Sequence, residues 1–289
     1  MNLMSGLERF GFAPKEELNI LKEEPVKKKK NEETKKVKKE EPKEQDFLLD
    51  KTMRCPVCDK TFKVKAVKNA RVERMAPDFD LRPRFEYIDT LKYDVTVCPH
   101  CGYGAMNRYF EHVSSAQIKL IKAAVCSQFK AEPEQEIETY PYEYAVERYK
   151  LSLVSTIAKR GKLSEKAYTC LKIAWLRRAE LENLPDDTPV AKQRIADCTE
   201  EMEGFYEQAY EGFMKAVSTE LPPYCGMDSN TIEFMLANMA MYYKKYDVAS
   251  KLVAKLLTSG TASSKMKDKS LELKNEILKE VRKNAQPQK

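Results

Sequence analysis

Two Cys-Pro-x-Cys pairs, Cys55-Pro56-Val57-Cys58 and Cys98-Pro99-His100-Cys101, constrain this chain more than any other feature of its sequence. Two matched pairs read as four thiolates around one Zn²⁺, because a two-residue gap lets both sulfurs of a pair turn toward one ion about 2.3 Å away. Each pair is followed by a residue suited to the left-handed turn of a metal knuckle. Gly102 takes that conformation at no steric cost, and Asp59 tolerates it better than most. The expected metal ligands are therefore Cys55, Cys58, Cys98 and Cys101, with Zn²⁺ as the cofactor and no catalytic residue beside them. Thirty-nine residues, 59 to 97, separate the pairs, against a usual ribbon gap of roughly 15–20. An insertion accounts for the excess, since lengthening a loop costs little. The rival reading is redox: Cys98-Pro99-His100-Cys101 alone would suit a thiol–disulfide oxidant of the thioredoxin type. That fold needs a βαβ unit around its motif, whereas Gly102-Tyr103-Gly104 follows here.

At 289 residues the chain can bury one or two real cores, and its 33% charged and 42% hydrophobic residues suit a soluble, helix-rich protein. Half of the net charge of +6 comes from Lys22 to Gln45, where ten lysines face seven glutamates. The remainder is only mildly basic, which weakens any argument for nucleic acid from charge alone. Met1 to Phe10 has no basic start followed by an apolar run, so it does not read as a secretory signal. No stretch approaches the roughly 18 apolar residues of a membrane span. Eight cysteines without such a signal imply reduced thiols or metal, and a cytoplasmic location.

Read in order, residues 1–21 form a short semi-apolar leader broken by Gly11 and Pro14, either a docked or loose tail or a linear motif for a partner. Residues 22–46 are a Lys/Glu linker, too poor in apolar side chains to offset ordering entropy. The glutamates cancel most of the field of Lys27–Lys30. Residues 47–112 are the zinc ribbon with its inserted loop. Phe62, Val64 and Ala66 alternate with Lys63 and Lys65, and Val95 and Val97 alternate before the second pair, which predicts short strands flanking the metal. Arg71 to Met75 is a further strand candidate. The insertion from Pro77 to Thr90 carries Asp78, Asp80, Arg82, Arg84 and Asp89, expected to pair with one another on a solvated loop. Of the two histidines, His100 lies inside a knuckle whose four thiolates already fill a tetrahedral site, so neither it nor His112 is expected to bind metal. Cys126, Cys170, Cys198 and Cys225 are expected to be packing residues.

Residues 113–283 read as helices, with a loose tail at 284–289. Ser114 or Ser115 caps a helix to Phe129, with Ile118, Ile121, Ala124 and Val125 on one face. Tyr142, Val146, Tyr149, Leu153 and Ile157 form the next stripe, ended by Gly161. Ser164 caps a third helix, with Ala167, Leu171, Ala174 and Trp175 inward, and Thr188-Pro189 opens the following ones, which run to Thr219. Ala167, Ala209 and Ala249 lie 42 and 40 residues apart, each with apolar partners at +4 and +7, and Gly161, Gly204 and Lys244-Lys245 read as the turns before them. Such a period suits antiparallel helix pairs stacked like tetratricopeptide repeats, although the usual Trp and terminal Pro are missing and the spacing exceeds 34; the plainer reading is an irregular bundle. The fold class expected is mainly α, with a tetratricopeptide-like helical domain and a small β zinc-ribbon module at its N-terminal side.

Cys55-Pro-Val-Cys-Asp-Lys-Thr-Phe62, the stretch Leu91-Lys-Tyr-Asp-Val-Thr-Val-Cys-Pro-His-Cys-Gly-Tyr103 and the helices after them resemble the bacterial domain-of-unknown-function family twenty-two twenty-five. The resemblance covers about 47 to 260. It implies a bacterial cytosolic protein whose activity is not established, supplies no catalytic residues, and includes a similarly long gap between the knuckles.

The function these features favour is a non-enzymatic adaptor, with a rigid metal-held head and helices that offer a face to a protein or peptide partner. One alternative is nucleic-acid binding through the ribbon, with Phe62, Lys63, Lys65, Lys68, Arg71 and Arg74 as the basic face. The other is a thiol oxidoreductase using Cys98 and Cys101.

Overall fold

The computed structural model describes residues 41–131, 137–185 and 188–285. The leader at 1–21 and the Lys/Glu stretch up to residue 40 lie outside the described residues, as does the end of the tail from 286. The fold is mainly α with two small antiparallel sheets near its N-terminal side.

Each sheet is a hairpin folded around one cysteine pair. Strand β1 (Leu48–Arg54) pairs with β2 (Thr61–Val67) in the register Leu48↔Val67 to Arg54↔Thr61, and the first knuckle is their turn. Strand β3 (Val95–Val97) pairs with β4 (Gly104–Met106), with the second knuckle between them. The alternation in β2 buries Phe62 and Val64 and leaves Lys63 outside, as its period requires. Phe62 therefore leaves the basic face expected of it and joins the core. From Arg71 to Met75 only Arg74 pairs, through an isolated bridge to Phe85, so no strand forms there.

Helix α1 (Ser115–Ile121) starts with a reciprocal cap: Gln117 N–H donates to Ser114 Oγ at 3.3 Å, and Ser114 N–H to Gln117 Oε1 at 3.0 Å. It then widens into a π-turn at Lys122–Cys126, which rotates the face so that Ile121 and Val125 are buried and Ala124 is exposed. Helices α2 (Tyr142–Ala158), α3 (Leu163–Leu181), α4 (Pro189–Thr219), α5 (Ser229–Tyr242), α6 (Tyr246–Thr258) and α7 (Ser264–Ala285) follow. Side-chain bonds place neighbours antiparallel. Thr156 meets Glu165 across α2–α3, Leu163 meets Glu220 at the end of α4, Lys255 meets Glu233 across α5–α6, and Asn284 meets Tyr246 across α6–α7.

The small residues that recur in the sequence sit where helices touch: Ala167, Ala209 and Ala249 are all buried, as are Leu171, Ala174, Phe213, Ala216, Val253 and Leu256. Gly204 is not a turn, however. It lies inside α4, which runs unbroken for 31 residues. One exposed glycine costs a helix only about 1 kcal/mol, less than packing along the rest of α4 returns. Two other expectations shift. Arg160, with φ of 56°, takes the left-handed position that ends α2, while Gly161 N–H bonds Thr156 O at 2.8 Å. Ser164 lies buried in the first turn of α3, and the cap comes from far away: Glu220 Oε1 accepts from Leu163 N–H at 2.6 Å and Ser164 N–H at 3.3 Å.

The apolar stripe of α2 holds at Val146 and Tyr149 but not at Ile157, which is exposed; Ser152, Ser155 and Thr156 turn inward instead. The reason is β4, whose backbone lies against that face. Gly104 N–H bonds Ser155 Oγ at 3.1 Å, and a Cβ on Gly104 would stand 2.9 Å from the Ser152 nitrogen. Only small residues permit so close an approach.

The inserted loop is not wholly solvated but anchored at its middle. Asp80 and Arg82 are buried, 4% and 2% exposed. Asp80 Oδ2 accepts from Trp175 Nε1 at 2.9 Å and Tyr206 OH at 3.1 Å, and lies 2.8 Å from Arg178 Nη1. Arg82 pairs with Asp78 at 2.5 Å and with Glu182. Arg84 also reaches Glu182, at 2.7 Å. A charge run that looked self-satisfying is split between loop and helices, because the acids and bases meet partners on α3 and α4 that lie some hundred positions away.

Candidate metal centre

The two knuckles are built alike. In the first, Asp59 N–H bonds Cys55 O at 2.9 Å and Cys55 N–H bonds Lys60 O at 2.9 Å. In the second, Gly102 N–H bonds Cys98 O at 3.0 Å and Cys98 N–H bonds Tyr103 O at 2.9 Å. The residues at the matching bend are left-handed in both, Asp59 with φ of 67° and Gly102 with φ of 73°. Gly102 is needed for a second reason: a Cβ there would lie 2.4 Å from the Phe129 ring, which packs on its Cα. Arg54 straps the first knuckle, donating from Nε and Nη2 to the Asp59 carboxylate at 2.7 and 2.6 Å.

These bends aim all four sulfurs at one point. Cys55 Sγ lies 3.7 Å from Cys101 Sγ and Cys58 Sγ lies 3.6 Å from Cys98 Sγ, each across the knuckles, and all four are within 4.8 Å of one another. A tetrahedron of bonds about 2.3 Å long has edges near 3.8 Å, so the set fits one tetrahedral ion bound by sulfur. Cys55, Cys98 and Cys101 are buried and Cys58 is partly so. Val57 N–H points at Cys55 Sγ from 3.4 Å, a donor that stabilises thiolate charge.

Electrostatics shows why such a set wants a cation. Hydrogen bonds from Cys101 and then Cys98 hold the Cys55 thiol down at about 2. The Cys55 thiolate in turn pushes Cys101 far above the ordinary thiol range, through its hydrogen bond and then that of Cys98. One sulfur gives up its proton easily and its neighbours do not, because four negative charges at this spacing repel strongly. A doubly charged ion removes that repulsion.

The shell around the sulfurs is apolar. Tyr103 stacks on Phe110 with centroids 5.0 Å apart, donates its hydroxyl to Phe110 O at 3.0 Å, and Phe62 meets Phe110 edge-on at 6.1 Å. Ile121 and Val125 pack on the same cluster. His100 remains outside the sulfur set, its Nε2 3.3 Å from Thr61 O. Cys170, Cys198 and Cys225 are buried, but Cys126 packs half-buried against the cluster around the four sulfurs. Its place was not legible from spacing. Nor were those of Phe110 and Phe129, although a glycine after the second knuckle already signalled a close neighbour.

A family model described as an uncharacterized protein conserved in bacteria (DUF2225) matches residues 48–277. No curated protein and no solved structure matches the chain. No helix among the described residues is long and apolar enough to cross a membrane.

Proposed function

The chain belongs to this family of uncharacterized bacterial proteins, and from that premise we propose that it is a non-enzymatic adaptor, a zinc-held head on a stack of helices that receives a protein or peptide partner. The observation that carries the reading is the convergence of Cys55, Cys58, Cys98 and Cys101. Four thiolates in a closed tetrahedral set are the donors Zn²⁺ prefers in structural sites, and they leave no open position for substrate. The ion then supplies folding energy to two hairpins too short to be stable alone. The helices supply the other half of the reading, since stacked antiparallel pairs present extended faces that repeat proteins use for partners.

Two measurements on the full-length chain test it. Elemental analysis of the freshly purified protein should find one zinc per chain; no metal, or four thiols that titrate freely in the native protein, would favour the oxidoreductase. Capture from a bacterial lysate should then recover a defined partner that is lost when the helical faces are altered. Recovery indifferent to those changes would remove the adaptor role.

The nucleic-acid reading keeps exposed Lys63, Arg71 and Arg74 but loses Phe62 as a ring for base stacking, and Lys65 is drawn to Asp50 at 2.9 Å. A salt-dependent shift of labelled DNA or RNA, abolished by neutralising those three side chains, would restore it.

A further inference from the structure

Side chains close the sheet edges of this fold, with one exception. On β2 the outward N–H of Lys65 donates to Tyr140 OH at 3.2 Å, and His100 Nε2 lies 3.3 Å from Thr61 O. On β3 the outward Val95 O accepts from Arg148 Nη2 at 3.1 Å, and on β4 the outward Gly104 N–H is held by Ser155 Oγ. Strand β1 pairs with β2 alone. At the two ends of that hairpin Lys68 N–H bonds Phe47 O and Cys55 N–H bonds Lys60 O. Bonded pairs alternate along an antiparallel ladder, so Leu49, Lys51 and Met53 turn their backbone groups toward β2, and Asp50, Thr52 and Arg54 turn theirs outward. No hydrogen bond among the described residues reaches those outward N–H and C=O groups. All three residues are exposed, as are Leu49 and Lys51. The register has no bulge and the strand no proline, so of the usual devices that blunt an edge only charge is present.

Such an edge offers a row of donors and acceptors to an added strand. The charges of β1 select which strand. Two copies of β1 can run antiparallel about a twofold axis in only a few registers. An axis at Asp50, Lys51 or Arg54 sets like charges face to face, which destabilises a cross-strand pair. An axis at Met53 sets Asp50 against Pro56, which has no N–H. An axis at Thr52 sets Asp50 opposite Arg54 of the second copy, twice, and joins outward-turned residues only. The side chains are free to meet. Arg54 gives Nε and Nη2 to Asp59 and keeps Nη1, and Asp50 meets Lys65 Nζ at 2.9 Å through Oδ1 and keeps Oδ2. Asp50, its cross-strand partner Lys65 and Arg54 share one face of the hairpin. Across two joined chains that face reads Lys65, Asp50, Arg54, Asp59, alternating in sign.

We propose that β1 joins β1 of a second copy edge to edge, antiparallel with Thr52 on the axis, into one four-stranded sheet across two chains. Asp50 with Arg54, Thr52 with Thr52 and Arg54 with Asp50 each exchange two backbone hydrogen bonds. The contact is smaller than a standard interface of about 1,600 Å², so the dimer is weak, in the micromolar range. The inference goes beyond the adaptor reading and does not rest on it.

Sedimentation of the full-length chain from about 1 µM to about 1 mM tests it. The weight-average mass should rise from that of one chain toward twice that value, less steeply as salt increases. Amide exchange followed residue by residue should slow at Asp50, Thr52 and Arg54 as concentration rises, while Lys51 and Met53, already bonded to β2, change little. Thr52→Pro removes one outward N–H without touching a bond to β2, and proline is tolerated at such edge positions. It should weaken association at least tenfold and keep the circular dichroism of the wild type. Asp50→Lys, which faces Arg54 with a like charge, should weaken it severalfold and decides the matter if proline unsettles the hairpin. Glu272→Gln on α7 should leave it within twofold. A chain monomeric at every concentration, or a dimer that Thr52→Pro and Asp50→Lys leave intact, overturns the assignment. So does protection of the β1 amides only by a protein captured from lysate, which would make this edge a docking strand for a foreign partner.

Discussion

Trp175 of α3 donates its indole N–H to Asp80 at 2.9 Å, so the middle of the loop that joins the two metal knuckles is held by the middle of a helix. Arg178 and Tyr206 bind the same carboxylate oxygen. The loop thus links the β head to the helices through buried groups, and the energetics of one bear on the other.

Asp80→Ala should be costly. It leaves the half-buried Arg178 without its carboxylate and the Trp175 and Tyr206 donors without an acceptor. Breaking a buried pair of this kind costs about 3 kcal/mol. Urea unfolding followed by circular dichroism should show a lower midpoint with little change in slope; a midpoint equal to wild type would mean the loop's anchorage is energetically idle.

Metal removal should be visible from Trp175, the only tryptophan in the chain and 2% exposed. Chelation, or Cys58→Ser or Cys101→Ser, should release the ion and unfold the hairpins, because metal-binding energy is folding energy in such modules. Most far-UV helical signal should persist while the Trp175 emission moves to the red as Asp80 lets go. Full zinc content in both variants, measured by elemental analysis, would contradict the four-cysteine assignment.

Gly204 and Gly212, both in α4, should respond oppositely to alanine. Nothing stands within 4 Å of a Cβ at Gly204, so Gly204→Ala should add about 1 kcal/mol of stability through helix propensity. At Gly212 the same methyl would meet Ala167 Cβ at 2.8 Å and drive α3 from α4. Overpacking costs about 1–3 kcal/mol, which outweighs the propensity gain. Thermal melts should rank Gly204→Ala above wild type and Gly212→Ala below it, with Ala167→Gly restoring part of the second loss.

Acid should find a weak point at Glu143. Its carboxylate bonds Arg177 at 3.0 Å and also meets Arg194, and these guanidinium groups, Arg177 first, hold it down at about 2 against an ordinary value of 4.5. A depressed carboxylate stabilises the fold fully above its unfolded value, and that contribution disappears as pH falls from about 4.5 toward 2. Arg177→Met, which takes one of two cationic partners from each of Glu143, Glu180 and Glu201, should raise the midpoint of acid unfolding by circular dichroism. An unchanged midpoint would mean the network carries no pH-dependent stability.

Much of the centre was legible in the sequence because knuckle chemistry is local. Two-residue spacing, Gly102 and Asp59 each act within a single turn, and the φ values of those two residues match. The helices were legible at Ala167, Ala209 and Ala249, where periodicity reports a face. Gly204 misled because glycine marks a turn only where the chain must bend, and α4 has packing enough along its length to ignore it. Asp80, Arg82 and Glu220 were illegible for a different reason. Their partners are on elements far along the chain, and nothing in the neighbouring residues of a surface-like charge says that a helix will cover it. Ile157 failed similarly, since the approach of β4 to Ser152 and Ser155 decided which side of α2 was inside.

With the sulfurs of both knuckles drawn together and Asp80 fixed between them, the stretch from Cys58 to Cys98 is divided into two arcs of about equal length rather than left as one wide ring. Each arc is closed at both ends, so an insertion in either should enlarge that arc alone and leave the sulfurs in place, at a closure cost that grows only logarithmically with added chain. The molecule can therefore vary what it displays beside its four cysteines without renegotiating how their sulfurs converge.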